Sequence, residues 1–429
     1  MTRHAAVDLG ATSGRVVVGD VTPTSVSLTE VHRFPNGPVQ HDDGLHWDLT
    51  RLYDEVTRGL ALAGDVASIG VDSWAIDYGL VEADGTLLNE PFSYRDARTD
   101  GVALGLSRRE LFDVCGLQHL PFTTVYQLAA EKRLADASSM LLIPDLITCW
   151  LTGARGCELT NASTTGLLDI RTRSWNRLAP SQLGDLVQPG DSRGTWEGIP
   201  VVAVGSHDTA SAYVGTPLTA GAAVISLGTW GLVGLELTEP VLTDAVFAAS
   251  FTNELGVDGT VRFLRNVSGL WVLQQCLADW GRTDLGALLA AAEEHQAVPL
   301  IDIDDPSLVA PGGMPARVAA LGGPTEPVAV VRCLVDSLVA ALARTVTEAG
   351  TLTGERIEAV HVVGGGSQNA LVCTGLARAL GVPVLAGPVE ATALGNVRVQ
   401  ARAVGTLAGS LDDLRALVRR TSSVVRYDP

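Results

Sequence analysis

Two short turns rich in glycine and hydroxyl residues carry the strongest chemical signal in the sequence. The first lies in AAVDLGATSGRVVVGDV, where Gly10–Gly14 separate two apolar strands. Backbone N–H groups and hydroxyls crowd together in such a turn, which suits a phosphate that needs many donors in little space. Asp8 ends the preceding strand, where its carboxylate could hold a metal ion bridging phosphates. The segment indicates phosphate binding, with an ordinary hairpin as the alternative.

A second copy of this pattern strengthens the prediction. Residues 222–237, AAVISLGTWGLVGLEL, repeat the order of apolar strand, Leu-Gly-Thr, one bulky residue, glycine and apolar strand. Each copy opens a long stretch of strands and helices. We therefore expect an α/β protein of two related domains, 1–217 and 218–429, that face a shared central cleft. This layout resembles the actin-like ATPase (ribonuclease H-like) fold, in which two hairpins grip the nucleotide phosphates.

Lysine usage excludes several other ways of handling phosphate. The only lysine is Lys132, within the helical segment QLAAEKRLAD. A Walker A loop, a protein kinase and Schiff-base chemistry each require a lysine at a defined place. If this chain binds ATP, it must use backbone N–H groups, hydroxyls and a metal ion, which is what the two turns offer.

The composition narrows the class of partner. The 429 residues carry a net charge of −18, which repels nucleic acid and anionic membranes. No apolar segment is long enough to cross a bilayer, and the start leads directly into a strand, so we expect neither anchor nor signal peptide. Six scattered cysteines without C-x-x-C spacing indicate reduced thiols, no zinc site and a cytoplasmic protein. We expect a monomer or a homodimer.

Polar and aromatic residues follow the buried strand 69–71 in the segment VDSWAID. Ligands of α/β proteins usually bind at such carboxyl ends. The indole of Trp74 suits the C–H face of a sugar and the carboxylate of Asp77 suits its hydroxyls, with a core aromatic and a turn cap as the alternatives. Upstream, His41 and His46 flank an Asp43-Gly44 turn and, with the nearby aspartates, could ligate a metal, but no third ligand falls at useful spacing. We therefore expect a solvated hairpin tip there.

The segment VVAVGSHDTASAYVG predicts a buried strand, a turn and a helix. Asp208 lies where a carboxylate would either cap the helix or act as a base. Ser206, His207 and Asp208 cannot form a hydrolytic triad, because adjacent residues do not align in one relay. Later, Gly364–Gly366 follow a buried strand without a dinucleotide fingerprint, which speaks against a Rossmann oxidoreductase. Bare backbone there suits the close approach of adenine or ribose.

Taken together, these segments resemble the FGGY family of carbohydrate kinases. The motifs that carry the resemblance span nearly the whole chain in family order: VDLGATSGR, HWDL, SIGVDSWAIDY, SYRDARTD, PFTTVYQL, TNASTTGLLDI, VVAVGSHDTASA, SLGTWGL, FTNE, RNVSGLW, HVVGGGSQN and AGPVEATALGN. The resemblance implies ATP and Mg²⁺ as cofactors, Asp208 as the catalytic base and Asp8 as a metal ligand. The residues that it implies for ATP are Ala11, Thr12, Ser13, Gly14, Arg15, Thr229, Gln274 and Gly365. Those expected at the sugar are Trp74, Ala75, Asp77, His207, Asp208, Thr209 and Asn266.

The resemblance defines the reaction more narrowly than the sugar. Ala75 stands where related sequences usually have glycine in the sugar site, and the added methyl could reshape the pocket. The segment 300–325 is abbreviated. We expect transfer to the terminal hydroxyl of a ketose, foremost L-rhamnulose, with L-fuculose or a ketopentose as alternatives. A non-catalytic sugar-sensing protein on the same fold is the alternative of a different class.

Overall fold

A computed structural model describes residues 1–429, which divide into two compact units. Unit 1 comprises Met1–Pro217, Glu236–Phe263 and Ala391–Thr421, and unit 2 comprises Leu218–Leu235, Leu264–Glu390 and Ser422–Pro429. The second half of the sequence thus contributes two segments to the unit built on the first half. None of the helices has both the length and the apolar character that a membrane span requires.

Short strands and six helices alternate through the first 217 residues. The strands are β1 Thr2–Leu9, β2 Ser13–Val21, β3 Val26–Pro35, β4 Pro38–His41, β5 Gly44–Trp47, β6 Ser68–Ser73, β7 Tyr78–Val81, β8 Ser139–Leu142, β9 Cys157–Glu158, β10 Leu168–Asp169, β11 Ser174–Trp175, β12 Leu186–Val187, β13 Ser192–Trp196 and β14 Ile199–Val202. The helices are α1 Leu49–Ala63, α2 Arg108–Cys115, α3 Thr124–Ala130, α4 Ile143–Thr152, α5 Leu159–Ala162 and α6 Asp208–Gly215.

The second half of the sequence is richer in helix. Its strands are β15 Ala222–Leu227, β16 Trp230–Leu237, β17 Thr252–Leu255, β18 Val261–Ser268, β19 Ala359–Val363, β20 Val384–Ala386 and β21 Val425–Tyr427. Its helices are α7 Asp244–Ala248, α8 Trp271–Trp280, α9 Leu285–Glu293, α10 Met314–Ala320, α11 Pro327–Thr353, α12 Ala370–Leu380, α13 Ala391–Ala403 and α14 Leu411–Thr421.

The two large sheets repeat one pattern. The first has the order β13-β14-β6-β1-β2-β3, and the second has the order β17-β18-β16-β15-β19-β20-β21. In each, a hairpin (β1–β2 or β15–β16) pairs antiparallel, and its first strand also pairs parallel with a later strand, β6 or β19. Both predicted hairpins are therefore confirmed. The parallel pairing brings the carboxyl ends of neighbouring strands to one edge, where polar residues can converge.

Small residues let α13 pack closely on α6 within unit 1. A Cβ added to Gly395 would lie 1.8 Å from the carbonyl oxygen of Ser211, and one added to Gly215 would lie 1.9 Å from that of Ala391. Any side chain at either glycine would force the helices apart. On its other side, α13 hydrogen-bonds to the sheet, because the amide of Gln400 donates to the carbonyl of Ala5 at 3.0 Å.

Candidate active site

The β1–β2 turn is held in one conformation by hydrogen bonds to its carbonyl groups. The N–H of Gly10 donates to the carbonyl of Ser13 at 2.9 Å, and the N–H of Asn36 donates to that of Thr12 at 3.1 Å. The side-chain amide of Asn36 donates to the carbonyl of Gly10 at 2.8 Å. The Thr12 side chain remains exposed. The turn is therefore fixed through its acceptors while a hydroxyl faces outward, an arrangement that suits an anion.

Three carboxylates gather at the edge of the first sheet. Asp8 and Asp72 are direct neighbours on the parallel strands β1 and β6. Asp8 accepts from Nε and a terminal nitrogen of Arg15 at 2.9 and 2.6 Å. One oxygen of buried Asp72 accepts from the amide of Asn396, whereas the other has no hydrogen-bond partner. Burial, and then the charges of Asp8 and Asp208, raise the pKa of Asp72 well above its usual range.

Asp208 is the first residue of α6, and the residue at the N-cap position is His207. The carboxylate is therefore not used as the helix cap, which was the structural alternative for this residue. Its Oδ1 accepts from the hydroxyl of Thr209 at 2.9 Å. Burial is the main cause that raises the pKa of Asp208. The side chain nonetheless keeps 33% exposure, so a substrate hydroxyl can reach it.

His207 is oriented by a buried ion pair that the sequence did not reveal. A terminal nitrogen of Arg262 lies 2.9 Å from the carboxylate of Glu254 and 3.1 Å from Nδ1 of His207. A guanidinium can only donate, so the contact with Arg262 favours a ring proton on Nε2, although Nδ1 also lies 3.4 Å from the carboxylate of Glu254. Nε2 lies 3.4 Å from Oδ1 of Asp208. The ion pair thus holds the ring of a histidine beside the candidate base.

Asp77 is the hydrogen-bond centre of the loop after β6. Its buried carboxylate accepts from the indoles of Trp47 at 2.6 Å and Trp74 at 3.0 Å, from the amide of Gln127 at 2.8 Å and from the N–H of Tyr94 at 3.2 Å. Burial raises the pKa of Asp77 to about 6 although these donors oppose the shift. All four contacts are to protein groups, so Asp77 fixes the loop. Its contact with a sugar stays a prediction, as does that of Trp74.

The same loop contains a strained residue next to Ala75. Ile76 has a φ of +69°, a left-handed conformation that is rare for a β-branched residue. Its carbonyl accepts from the hydroxyl of Thr124 at 2.6 Å and from the amide of Gln127 at 3.4 Å. These hydrogen bonds and those of Asp77 hold the backbone at the strained residue and at the residue that follows it. The backbone next to Ala75 is therefore held by hydrogen bonds within the protein.

The β15–β16 turn in unit 2 is held by hydrogen bonds from the start of α8. The carbonyls of Gly228 and Thr229 accept from the N–H groups of Leu270 and Trp271 at 2.9 and 3.2 Å. A Cβ on Gly269 would lie 2.6 Å from the carbonyl oxygen of Thr229, so only glycine allows this approach. As in the first hairpin, hydrogen bonds to the backbone carbonyls of the turn hold its conformation.

The three consecutive glycines after β19 pack beside that turn. A Cβ on Gly366 would lie 2.3 Å from Cγ of Leu227, and one on Gly364 would lie 3.1 Å from the carbonyl oxygen of Leu227. Gly365 lies between them and is exposed, with no atom within 4 Å of the place where its Cβ would be. Gly365 therefore presents open backbone next to the second turn, as a flat ligand would require.

Comparison with known proteins identifies the family. The model described as the FGGY family of carbohydrate kinases, N-terminal domain, matches residues 4–184, and that of the C-terminal domain of the same family matches residues 223–404. The chain belongs to the FGGY family of carbohydrate kinases. The resemblance predicted from the sequence is thus confirmed, and with it the class of enzyme, a sugar kinase.

Similar proteins cover almost the whole length of this FGGY kinase. The rhamnulokinase of Pectobacterium carotovorum subsp. carotovorum (strain PC1) is 40% identical over 99% of the chain and 92% of that protein. The rhamnulokinase of Bacteroides thetaiotaomicron is 36% identical over 99% and 95%. Among solved structures, xylulose kinase from Lactobacillus acidophilus has a TM-score of 0.82 at 16% identity, covering 100% of this chain and 94% of that chain. Plasmodium falciparum glycerol kinase with ADP has 0.79 at 16% identity, with the same coverage. These likenesses confirm the predicted actin-like α/β fold.

The predicted site residues of the kinase fall into two groups, one in each unit. Unit 1 holds the candidate metal ligand, the first turn and most of the predicted sugar contacts: Asp8, Ala11–Arg15, Trp74, Ala75, Asp77, His207, Asp208 and Thr209. Unit 2 holds Thr229 in the second turn, Asn266 in β18, Gln274 on the exposed side of the first turn of α8, and Gly365.

Sequence reasoning missed four residues that shape the unit 1 site. Asp72 and Glu254 lie in the quoted segments DSWAID and FTNE, so their acidic side chains were a usable signal. Asn396 ends the quoted motif AGPVEATALGN and lies in the small-residue helix α13, so its amide side chain was a usable signal too. Arg262 gave no signal, because its role depends entirely on burial against Glu254.

Proposed function

We propose that this FGGY kinase transfers the γ-phosphate of ATP to the terminal hydroxyl of L-rhamnulose, giving L-rhamnulose 1-phosphate. The observation that carries the reaction is Asp208, a partly exposed carboxylate with a raised pKa that faces Nε2 of His207. The sugar is supported by relatives that are 36–40% identical over almost the whole chain and are named rhamnulokinases.

In the proposed step, Asp208 accepts the proton of the sugar hydroxyl while that oxygen forms a bond to the γ-phosphorus. The bond from phosphorus to the bridging oxygen breaks, and the electron pair leaves with ADP. Such transfer needs alignment, charge neutralisation and removal of one proton. A base whose pKa is raised accepts the proton more readily, and positioned bases contribute about 10²–10⁴-fold. His207 and Thr209 hold the carboxylate and bind the sugar.

We further propose that Asp8 and Asp72 hold a magnesium ion. Carboxylate oxygens are the ligands that Mg²⁺ prefers, and the oxygen of Asp72 that lacks a hydrogen-bond partner in a buried acidic site supports such a role. When bound, the ion would neutralise phosphate charge. The proposed ATP contacts are the turn 11–15, Thr229, Gln274 and Gly365, and the proposed sugar contacts also include Trp74, Ala75, Asp77 and Asn266.

The test is an ADP-release assay of the full chain with a panel of ketoses and polyols. We expect the highest kcat/KM with L-rhamnulose, and ADP release about 10²–10⁴-fold slower with Asp208→Asn. A clear preference for L-fuculose or a ketopentose would replace the proposed sugar but keep the reaction, and Ala75 is the observation that favours this second candidate. Release of ADP without any sugar dependence would overturn the proposal.

The cytoplasmic location and the assembly state belong to the same proposal. All six cysteines are free and buried, which suits a reducing compartment. We propose a monomer or homodimer, to be measured by light scattering coupled to size-exclusion chromatography.

A further inference from the structure

The β4–β5 hairpin places two histidines on one face. Its strands pair His41 with Gly44 and Val39 with His46, so His41 and His46 are diagonal neighbours across the ladder. The two rings stack with centroids 4.6 Å apart.

Asp43, in the turn between the strands, completes a set of three ligands. One side-chain ligand atom from each of His41, Asp43 and His46 lies within 4.8 Å of the others. The expectation that no third ligand was available is therefore wrong. The two-residue turn brings the carboxylate of Asp43 to 2.9 Å from Nε2 of His46.

Hydrogen bonding around His46 leaves a place for a cation. Nδ1 of His46 lies 2.7 Å from the carbonyl oxygen of Glu90, so Nδ1 must carry a proton. In the neutral ring, Nε2 then has a lone pair, and this nitrogen lies 2.9 Å from Oδ1 of Asp43. Two acceptors do not remain at that distance unless a proton or a metal ion lies between them, so this contact is also where a cation could bind. A carbonyl behind Nδ1 is also the usual support for a metal-bound histidine.

The surroundings of His46 are rigid. Its side chain is 2% exposed and packs on the ring of Phe92, with centroids 4.0 Å apart. The carboxylate of Asp96 accepts from the N–H of Leu45 at 2.7 Å and leaves no room for a Cβ on Gly44, whose φ is +148°. One ligand is thus fixed, while His41 and Asp43 are exposed and free to adjust.

We propose that His41, Asp43 and His46 bind a divalent transition-metal ion such as Zn²⁺. Two imidazoles and one carboxylate suit Zn²⁺ or Co²⁺ better than Mg²⁺ or Ca²⁺, which prefer oxygen ligands. In tetrahedral coordination the ligand atoms lie about 3.3 Å apart, which small movements of His41 and Asp43 achieve. A water molecule supplies the fourth ligand, and the ion links the turn of the hairpin to its two strands.

The first experiment is calorimetric titration of tag-free full-length protein, treated with chelator and then dialysed, with ZnCl₂ in the absence of nucleotide. We expect wild type to bind one more equivalent of Zn²⁺ than His41→Ala. Loss of this ligand should weaken the site more than the ~10–100-fold that loss of a second-shell partner costs. The matched control is His295→Ala, a partly exposed histidine of unit 2 that contacts a neighbouring backbone carbonyl. Equal binding by wild type and His41→Ala would overturn the proposal.

A second experiment separates the metal site from a simple ion pair. Co²⁺ bound to nitrogen and oxygen ligands in a low-coordinate site absorbs visible light more strongly than aqueous Co²⁺, and we expect this absorption in wild type and its loss in Asp43→Asn. Nitrogen-15 NMR of His46 in metal-free protein gives the opposing outcome. No cobalt absorption, together with a ring protonated on both nitrogens that Zn²⁺ leaves unchanged, would assign His46 to an ion pair with Asp43 and refute the metal site.

Discussion

A terminal nitrogen of Arg262 lies 3.1 Å from Nδ1 of His207, and Nε2 of the same ring lies 3.4 Å from the carboxylate of Asp208. Arg262 is fully buried and is neutralised by Glu254 at 2.9 Å. The arginine thus acts on the candidate base through the histidine, as a positioning residue. Its removal should affect stability and sugar binding in separable ways.

We expect Arg262→Gln alone to lower the free energy of unfolding by about 3–5 kcal/mol, because it leaves the buried charge of Glu254 unpaired. The double variant Glu254→Gln, Arg262→Gln should lose less. Arg33→Gln, which breaks an exposed ion pair with Glu30, is the control and should cost less than ~1 kcal/mol. Urea unfolding measures all three.

If the ion pair also orients His207, the double variant will have a raised KM for sugar and an unchanged KM for ATP. A merely structural pair would leave both constants as in wild type once the variant is folded. Steady-state kinetics at saturating concentrations of the second substrate distinguishes the two roles.

For Asp208→Asn we expect turnover to fall by about 10²–10⁴-fold with ATP affinity retained, since the amide cannot accept the proton. The wild-type rate should also fall as the pH is lowered through the raised pKa of Asp208, because the protonated acid is no base. Rapid-quench kinetics and calorimetry with a non-hydrolysable ATP analogue test these points. Asp136→Asn, an exposed carboxylate elsewhere in unit 1, is the control; comparable turnover in both variants would remove Asp208 as base.

Local sequence predicted the parts of the site that local structure builds. The two hairpins and the step from strand to α6 follow from apolar runs, glycine turns and one helix start, each within about twenty residues. The structure adds what tertiary packing alone supplies. Asn396 reaches Asp72 across 324 positions because α13 packs into unit 1, and Trp47 reaches Asp77 from another hairpin. No periodicity encodes such contacts.

The glycines after β19 allow a paired test of nucleotide binding. Gly366→Ala should destabilise the protein, because its Cβ would overlap Leu227 near the second turn. Gly365→Ala meets open space, so stability should stay within about 0.5 kcal/mol of wild type. If ATP approaches Gly365, that variant will still have a raised KM for ATP. An unchanged KM would remove Gly365 from the nucleotide contacts.

Asp77→Asn should cost about 1–3 kcal/mol of unfolding free energy, because an amide cannot accept from all four donors. The pKa of Asp77 is raised to about 6 in the folded state, against about 3.9 when unfolded. Between about pH 4 and pH 6 the folded state therefore binds this proton more tightly than the unfolded state does. The free energy of unfolding consequently falls as the pH rises from about 4 to 6. Because asparagine does not titrate, this decrease in the free energy of unfolding should be absent in Asp77→Asn. Parallel pH profiles of the two proteins in urea unfolding would contradict the shifted pKa.

Ala75→Gly tests whether the added methyl shapes sugar choice. The backbone around Ala75 is held by the hydrogen bonds of Asp77 and of the strained Ile76, so the loop conformation should not change. The variant should therefore gain room for a substituent on the sugar. One methyl group in a pocket is worth about 10–200-fold in discrimination. We expect kcat/KM for L-rhamnulose to rise by about tenfold relative to that for a smaller ketopentose. Competition assays with both sugars measure this ratio, and Ala137→Gly, at a buried site outside the loop, is the control. An unchanged ratio would mean that residue 75 does not contact the distinguishing part of the sugar.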